Sequence, residues 1–366
     1  MHRTSFLGAL AVGLVGAHAA LAQTSGTIMT PSPNDPTTRV GTRGANFLLL
    51  PVGARGEAMA GAYTGLATGV TAMYWNPAGV ASTDVVSAGF TSTALYKDLD
   101  IKHTFMGVLI PALGGALGIN YNRLDSGDIP RTDEANPDGG NPQFGSVFSW
   151  GSTAVGLTFG RRLTDRLAVG VGAKTITEGM DGASASWWAV DVGTTFNTGL
   201  YGLSLGAALT NIGSQARYSG PVLEQRVTAD QAFQVDVPLT FTQSRIALPT
   251  AFRFSVTSHL TGAPDALLST GGPHVVRAVL EFYDGTDTDL MTTLAGEYGY
   301  RDLIFLRAGK RFFNEARSDF RSSSFGFSWG GGIRLPVFRR HLSFDYAYTM
   351  MGELDNVQTF SFEFGN

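Results

Sequence analysis

Strict alternation of side-chain character is the feature of this chain that most constrains its fold. In residues 341–350 every second side chain is apolar or aromatic, and in residues 357–365 the alternate positions include Phe360, Phe362 and Phe364. Side chains on a β-strand point alternately to opposite faces, so each segment has one wholly apolar face. A soluble sheet buries such a face, whereas a membrane barrel turns it toward lipid and keeps a polar interior.

The N-terminal residues predict export. Residues 1–3 form a short basic region, residues 6–21 are apolar, and Ala20-Leu21-Ala22 provides a small-residue cleavage site. We therefore expect residues 1–22 to be a cleavable signal peptide and the polar, proline-rich residues 23–43 to be a flexible segment. Because no later stretch reaches about 18 consecutive apolar residues, any embedding in a Gram-negative type outer membrane has to use strands.

Residues 84–366 are predicted to form an all-β, closed antiparallel transmembrane β-barrel of about 14 strands. Several candidate strands exceed ten residues, whereas globular strands usually have about five or six. A tilted strand that crosses a membrane needs about 9–11 residues. The candidates run over residues 84–96, 101–111, 114–124, 147–160, 166–180, 185–197, 200–212, 249–260, 274–284, 288–299, 303–313, 322–335, 341–351 and 357–365.

The connections between the candidate strands alternate in length. The two longest polar connections, 125–146 and 213–248, both follow odd-numbered strands. Outer-membrane barrels have short periplasmic turns and long outer loops, so these two are expected to lie outside the cell. Most connections after even-numbered strands are short, at residues 113–114, 161–165, 198–199, 300–302 and 336–339, with 260–273 as the exception.

The strand faces opposite the apolar ones carry many charges. Unpaired charges in a dry core are costly, whereas a lumen with water and mixed signs lets them pair. This argues against a secreted β-sandwich or propeller, the alternative that a composition with 47 glycines leaves open. The same register places lipid-facing or girdle aromatics at Trp187, Trp188, Trp329, Tyr298 and Tyr348. The predicted lumen charges are Lys174, Asp191, Arg253, Arg277, Glu281, Glu297, Arg307, Arg311, Arg334, Asp345 and Glu363.

Residues 44–83 differ from the strands that follow. Residues 56–63 are alanine-rich and helix-prone, and residues 73–79 contain Asn76 before Pro77, which marks a bend. A wide barrel needs filling, so this segment is predicted to be a hatch or plug that contains a short helix and lies within or across the barrel mouth.

Two sequence blocks lie in residues 46–63, which include Pro51-Val52-Gly53-Ala54-Arg55, and in residues 74–80, which include Trp75-Asn76-Pro77-Ala78-Gly79. Together they resemble the opening of PorV/PorQ family proteins, which belong to the wider FadL-like group of outer-membrane barrels. Residues 344–354 are similar to the family's penultimate hairpin. The chain departs from common barrel-assembly signals because it ends Phe364-Gly365-Asn366, without a terminal aromatic residue. The residues that carry the hatch motif are Pro51, Gly53, Arg55, Glu57, Trp75, Asn76, Pro77, Ala78 and Gly79.

The resemblance implies a 14-stranded barrel whose N-terminal hatch folds back into the lumen. PorV-like members work with type IX secretion machinery and bind or shuttle exported proteins at the cell surface. FadL-like members instead pass hydrophobic small molecules through a lumen and a lateral opening. The charged interior favours the first function, with secretion-machinery components and exported cargo as partners besides outer-membrane lipid. Both long loops contain apolar residues for such contacts: Ile129, Phe144, Val222 and Phe233.

Arg55 and Glu57 have two interpretations that the sequence leaves open. They form a gate by pairing with lumen charges such as Arg307 or Glu297, or they belong to a plug that never opens. Asn76, Pro77 and Ala78 are similarly expected to seal the pore by capping backbone groups, to form a simple turn, or both.

The sequence predicts neither catalysis nor a cofactor. Its four histidines beyond the signal peptide, His103, His259, His274 and His341, are not at metal-ligand spacing, although a spatial triad of the lipase type leaves no sequence signature. Residues 284–289 form either a solvated turn or a Ca²⁺ loop. A net charge of −4 argues against nucleic acid as a partner.

Overall fold

Fourteen antiparallel strands form one closed barrel in the computed structural model, which confirms the predicted fold class. The strands pair in sequence order, and the last one pairs with the first. The structure describes residues 41–365 except 97–98, 133, 135, 139–146, 231–234, 241–243, 269–271, 314–324 and 353–355. The strands are β1 Ser87–Leu95, β2 Ile101–Ala112, β3 Gly115–Asp125, β4 Trp150–Arg162, β5 Leu167–Met180, β6 Ala183–Asn197, β7 Leu203–Gly213, β8 Ala251–Thr261, β9 His274–Gly285, β10 Met291–Tyr300, β11 Ile304–Phe312, β12 Phe327–Val337, β13 Arg340–Thr349 and β14 Val357–Gly365.

Each predicted strand overlaps one barrel strand. The predicted signal peptide, residues 23–40 of the N-terminal segment, and the loop residues Phe144 and Phe233 lie outside the described residues. The loops contain additional short strand pairs that the sequence did not indicate. These pairs are Ile129–Pro130 with Val147–Phe148, Gln215–Ala216 with Ile246–Ala247, and Glu224–Asp230 with Val235–Thr240.

The two ends of the barrel differ. The two longest connections, 126–149 and 214–250, leave the same end, which we call the loop end. Ser87 at the start of β1 and Gly365 at the end of β14 lie at the opposite end, which we call the turn end. An even number of antiparallel strands places both barrel termini on one side.

The outward face is apolar. Phe344 is 49% exposed and Phe360 and Phe362 are each 45% exposed, while the residues between them point inward. Trp188, Trp329 and Tyr298 are also exposed, and the Tyr348 ring lies 5.6 Å from that of Trp329. Such a surface suits contact with lipid.

Trp187 corrects one expectation about this face. It is 2% exposed and lies in the barrel interior, where its Nε1 donates to the Ile246 carbonyl at 2.9 Å. Because neighbouring residues of a strand face opposite sides, Trp187 and Trp188 cannot both contact lipid.

Residues 44–83, which we call the plug segment, pass through the lumen. Near the loop end, Gly44 N donates to the Ala247 carbonyl at 3.1 Å. The segment then forms short helices and reaches β1 at the turn end. Among the described residues, no helix is long and apolar enough to cross a membrane. The helices are η1 Asn46–Leu49, α1 Ala54–Ala58, α2 Ala72–Trp75 and η2 Pro77–Ser82, and η3 Pro221–Leu223 lies in the second long loop.

The main apolar cluster of the described residues lies between the plug segment and the wall. Met59, Tyr63 and Trp75 of the plug segment pack there with Phe105 and Leu109 of β2. Trp75 is fully buried, and its ring meets that of Tyr63 edge to face at 5.9 Å. The barrel therefore has a packed core rather than an empty lumen.

Candidate functional site

Inward-facing glycines allow the plug segment to approach the wall closely. A Cβ atom at Gly170 would overlap the carbonyl of Pro77, and one at Gly330 would lie 2.7 Å from Ala58 Cβ. Real Cβ atoms do not approach other atoms so closely. Gly170 of β5 therefore needs to be glycine as long as the plug segment occupies the lumen. Gly330 of β12 needs to be glycine in either case, because its new Cβ would also lie 2.2 Å from the Tyr346 carbonyl oxygen of β13.

Asn76 ties the plug segment to itself and to the wall. Its Oδ1 accepts from Ala78 N at 3.1 Å, which caps η2. Its Nδ2 donates to the carbonyls of Thr64, at 3.0 Å, and Thr194 on β6, at 3.1 Å. The Asn76 side chain thus holds two distant parts of the plug segment against one wall strand.

The neighbouring motif residues are also buried. Trp75 Nε1 donates to the Val52 carbonyl at 2.6 Å, directly after Pro51 in the chain. Pro77 occupies the first turn of η2, where its missing N–H costs nothing. Gly53 has a φ of 89° and precedes α1, a conformation that favours glycine. Ala78 and Gly79 follow Pro77 in η2. The motif residues therefore shape and pack the plug segment.

Arg55 forms an ion pair with the wall. Its Nε and Nη2 atoms lie 2.9 Å from the two carboxylate oxygens of Glu297 on β10. The same carboxylate accepts from Arg307 Nε at 2.7 Å and from Arg277. Arg307 also donates to Asp345 at 2.5 Å. Three guanidinium groups thus surround one carboxylate that is almost completely buried.

Glu57 has different partners from those expected. Its carboxyl group accepts from Thr359 Oγ1 at 2.5 Å and Thr349 Oγ1 at 3.4 Å, rather than from Arg307. Burial raises the pKa of Glu57 to about 7, while the hydroxyls and the more distant Arg311 act in the opposite direction. Of the two residues, Arg55 therefore has one of the expected lumen partners, Glu297, and Glu57 has neither.

Four more wall charges contact the plug segment. Glu281 accepts from Thr64 N at 2.9 Å and from Thr64 Oγ1 at 2.8 Å. The Arg253 guanidinium stacks on the Trp75 ring at 4.7 Å, close to Glu281. The other two contacts join Arg311 to the Ala60 carbonyl at 2.7 Å and Glu363 to Val70 N at 3.1 Å.

The remaining predicted lumen charges pair away from the plug segment. Lys174 Nζ lies 2.8 Å from Asp191, whose other oxygen accepts from Asn211 N at a bulge between β6 and β7. Arg334 pairs with Asp302 at 3.1 Å near the turn end. All eleven predicted charges point inward, and they form separate groups rather than one continuous path.

Sequence reasoning missed the hydroxyl-bearing residues of β14. Ser361 Oγ accepts from Ala54 N at 2.7 Å and lies 3.0 Å from Thr91 Oγ1. Thr359 holds Glu57, as described above. Their positions alternate with Phe360 and Phe362, so the alternation already placed them inside. Only their partners in the plug segment were hidden.

A cavity of about 300 Å³ lies between the plug segment and strands β12, β13, β14, β1 and β2. Its lining is mixed. Apolar side chains such as Val70 and Phe105 contribute one part, and charged groups and hydroxyls contribute another. The polar and charged lining residues are Arg55, Tyr63, Thr68, Thr71, Ser82, Thr91, Arg334, Ser343, Asp345, Ser361 and Glu363.

Acidic and histidine side chains are common oxygen and nitrogen ligands of metal ions. Within the described part of the chain, no three or more of them converge as metal ligands. His103 is buried, and its Nε2 lies 2.6 Å from Asn122 Oδ1. In the 284–289 turn at the loop end, Asp284 and Asp287 are buried rather than solvated.

Comparison with known proteins shows the fold alone. Neither a protein-family model nor a curated protein matches the chain. The solved CymD monoaromatic hydrocarbon channel is similar, with a TM-score of 0.54, 11% identity, and 86% of this chain and 97% of that chain covered. The toluene transporter TbuX of Ralstonia pickettii has a TM-score of 0.51 at 12% identity, covering 86% and 97%. The toluene transporter TodX of Pseudomonas putida has a TM-score of 0.51 at 11% identity, covering 90% and 98%. The chain thus has the β-barrel fold of these channels and transporters over nearly their whole length.

Proposed function

We propose that the protein is a FadL-like transporter that lets small hydrophobic molecules cross the outer membrane. The observation that carries this proposal is the match of fold, over nearly the whole chain, to a hydrocarbon channel and two toluene transporters. In this proposal the signal peptide of residues 1–22 directs export, and the apolar outward face contacts outer-membrane lipid. The protein acts by passage of a molecule and not by chemistry.

The cavity beside the plug segment supports this function by its size. A cavity of about 150 Å³ lined by apolar side chains is enough to hold benzene. The cavity here is about 300 Å³, and Val70 and Phe105 contribute apolar surface to it. A monoaromatic molecule therefore fits between the plug segment and the wall, in contact with the apolar part of the lining.

Two adjacent residues of β1 offer a matched test of passage. Thr91 points inward and lines the cavity, whereas Ser92 is the next residue and faces outward. We expect Thr91→Phe to reduce uptake of radiolabelled toluene by cells that produce the protein, because the larger side chain fills the cavity. Ser92→Phe should leave uptake unchanged. The proposal would be contradicted if cells with the wild-type protein took up toluene no faster than cells without it. Equal uptake by the Thr91→Phe and Ser92→Phe variants would also contradict it.

A second candidate function is the handling of exported proteins with type IX secretion components, in the manner of PorV/PorQ proteins. The hatch motif of residues 46–63 and 74–80 favours it. The loop end also carries the strand pair Glu224–Asp230 with Val235–Thr240, and Val222 there is 54% exposed. Loops on a rigid scaffold commonly form binding surfaces.

The long loops test this second candidate. Shortening 126–149 or 214–250 should weaken capture of an exported cargo protein by the purified barrel while the barrel stays folded. Full affinity after both loops are shortened would contradict this role of the loops, and no capture of cargo by the intact barrel would exclude this function. A fatty acid or other apolar molecule in the lumen of the native protein would favour the transporter instead.

A further inference from the structure

The cavity wall is built from two rows of inward side chains on neighbouring strands. In the first row, Arg334 of β12 pairs in register with Ser343 of β13, which pairs with Glu363 of β14. In the second row, Asp345 pairs with Ser361. Glu363 and Asp345 are thus diagonal neighbours on adjacent strands, close enough for both to contact one small molecule.

Glu363 has spare capacity as an acceptor. Its Oε1 atom accepts from Val70 N at 3.1 Å, and its carboxylate forms no ion pair within 4.0 Å with any residue that the structure describes. It lines the cavity. Asp345 also lines the cavity, and only its Oδ1 is engaged by Arg307. Two carboxylates therefore face the same space with acceptor sites that the wall leaves open.

Arg334 has spare capacity as a donor. Its Nη1 atom donates to Asp302 at 3.1 and 3.3 Å, and its Nε atom has no hydrogen-bond partner among the described residues. The guanidinium also lies over the Phe305 ring at 5.2 Å. The Nε and Nη2 atoms of Arg55, the other arginine that lines the cavity, already donate to Glu297. Arg334 is therefore the guanidinium that remains for a ligand.

We propose that this cavity binds a small zwitterionic molecule. Its carboxylate would be held by Arg334, its ammonium group by Glu363 and Asp345, and its body would lie along the hydroxyl of Ser343. Two strand spacings of about 4.8 Å separate the backbones of Arg334 and Glu363, and the side chains shorten this gap. The two ends thus suit an amine and a carboxylate joined by a short chain.

A zwitterion pairs with both Arg334 and the carboxylates of Glu363 and Asp345 at once. Other ligand classes do not. A hydrocarbon that contacts the apolar part of the lining, such as Val70 and Phe105, leaves the Glu363 carboxylate and the Arg334 Nε atom without a ligand partner, and unpaired buried polar groups are costly. A simple amine or a simple carboxylate would satisfy one end only. This inference concerns a second ligand class and goes beyond the passage of hydrophobic molecules.

The probes for the test differ only in their charged ends. We would titrate the purified full chain in detergent with 6-aminohexanoate, hexylamine and hexanoate, and follow binding by calorimetry. The zwitterion should bind at least about tenfold more tightly than either singly charged probe, because charge-assisted hydrogen bonds form at both ends. A series of shorter ω-amino acids should show one preferred length.

Single substitutions separate the two ends. Glu363→Gln should weaken binding of 6-aminohexanoate and hexylamine by about tenfold or more, and leave hexanoate unaffected. Arg334→Gln should weaken 6-aminohexanoate and hexanoate instead. The matched controls Asp125→Asn and Arg123→Gln change an exposed pair at the loop end and should alter nothing. Ser343→Leu keeps every charge but fills the cavity, and should abolish binding of all three probes.

Three results would overturn the inference. These are equal affinities for the zwitterion and the singly charged probes, unchanged binding in the Ser343→Leu protein, and no binding of any probe to the wild type. Thermal unfolding shows whether each variant is folded. If a charge variant does not fold, the Ser343→Leu protein, which keeps every charge, provides the test of the site instead. Toluene uptake measured in parallel on the Glu363→Gln protein reports on the transporter proposal separately.

Discussion

Arg55 in the plug segment and Glu297 on β10 form a bidentate ion pair, with both N–O distances at 2.9 Å, although 242 residues separate them in sequence. Glu297 is 1% exposed and is shared with Arg307 and Arg277. A buried carboxylate needs such neighbours, because without them its charge would be desolvated and unpaired. The pair thus fastens the plug segment to the wall electrostatically.

Removing either partner of this pair should destabilise the barrel strongly. We expect Arg55→Gln to lower the free energy of unfolding by about 1.5–3 kcal/mol, because Glu297 loses charge-assisted hydrogen bonds but keeps Arg307 and Arg277 as partners. Glu297→Gln should cost more, since it leaves three guanidinium groups without their shared partner. Thermal unfolding in detergent measures both. Arg123→Gln, which breaks an exposed pair, should cost about 1 kcal/mol or less. Equal effects of Arg55→Gln and Arg123→Gln would contradict this account.

Glu57 should make stability depend on pH. Burial raises its pKa from 4.5 in the unfolded chain to about 7, so the folded protein binds the proton more tightly. The stabilisation is complete below the unfolded value and is lost as pH rises through the folded value, up to about 3 kcal/mol in all. Glu57→Gln should therefore unfold at a higher temperature than the wild type near about pH 8, and at a similar temperature near about pH 4.

The control for this pH effect is Asp165→Asn, which changes an exposed carboxylate in a turn between β4 and β5. It should leave the pH profile of the unfolding temperature unchanged. A Glu57→Gln protein with the same profile as the wild type would show that Glu57 does not titrate in the folded barrel.

Gly170 should tolerate no side chain while the plug segment is in place. A methyl group there would overlap the Pro77 carbonyl, and overpacking typically costs about 1–3 kcal/mol. Gly296 of β10 faces outward, and its nearest atom to a new Cβ is the Arg277 carbonyl oxygen at 3.8 Å. Gly170→Ala should thus lower the unfolding temperature and Gly296→Ala should not. The reverse order would mean that the plug segment does not contact β5 as described.

Much of the wall could be predicted because a strand has a period of two. The phase of alternation placed Glu297 and Glu363 inside and Phe344 outside, and the strand lengths predicted a membrane barrel. Trp187 was misplaced because both it and Trp188 were counted as outward, although a strand cannot show two adjacent side chains to lipid. The hairpin of Glu224–Asp230 and Val235–Thr240 was missed because it lies inside the connection 213–248 that was interpreted as a loop, and Pro238 interrupts its second strand.

The contacts of the plug segment could not be predicted in the same way. Thr64 meets Glu281, and Glu57 meets Thr359, across 217 and 302 residues of sequence. No local pattern encodes such distances, since they depend on how the segment winds inside the closed wall. The sequence predicted a set of lumen charges, but not which of them pairs with Arg55. The cavity between the plug segment and β12, β13, β14, β1 and β2 arises from the same winding and has no sequence signature of its own.

Ion conductance most directly tests the central claim that residues 44–83 fill the lumen of this barrel. The measurement compares single-channel conductance in planar bilayers for the wild type and for a protein that lacks residues 44–83, with refolding of the deletion checked by its β-sheet circular dichroism. The wild type should conduct little, because the plug segment packs against the inner wall on many strands. The deletion should open a large, stable conductance. An unchanged, low conductance in a folded deletion protein would contradict the account.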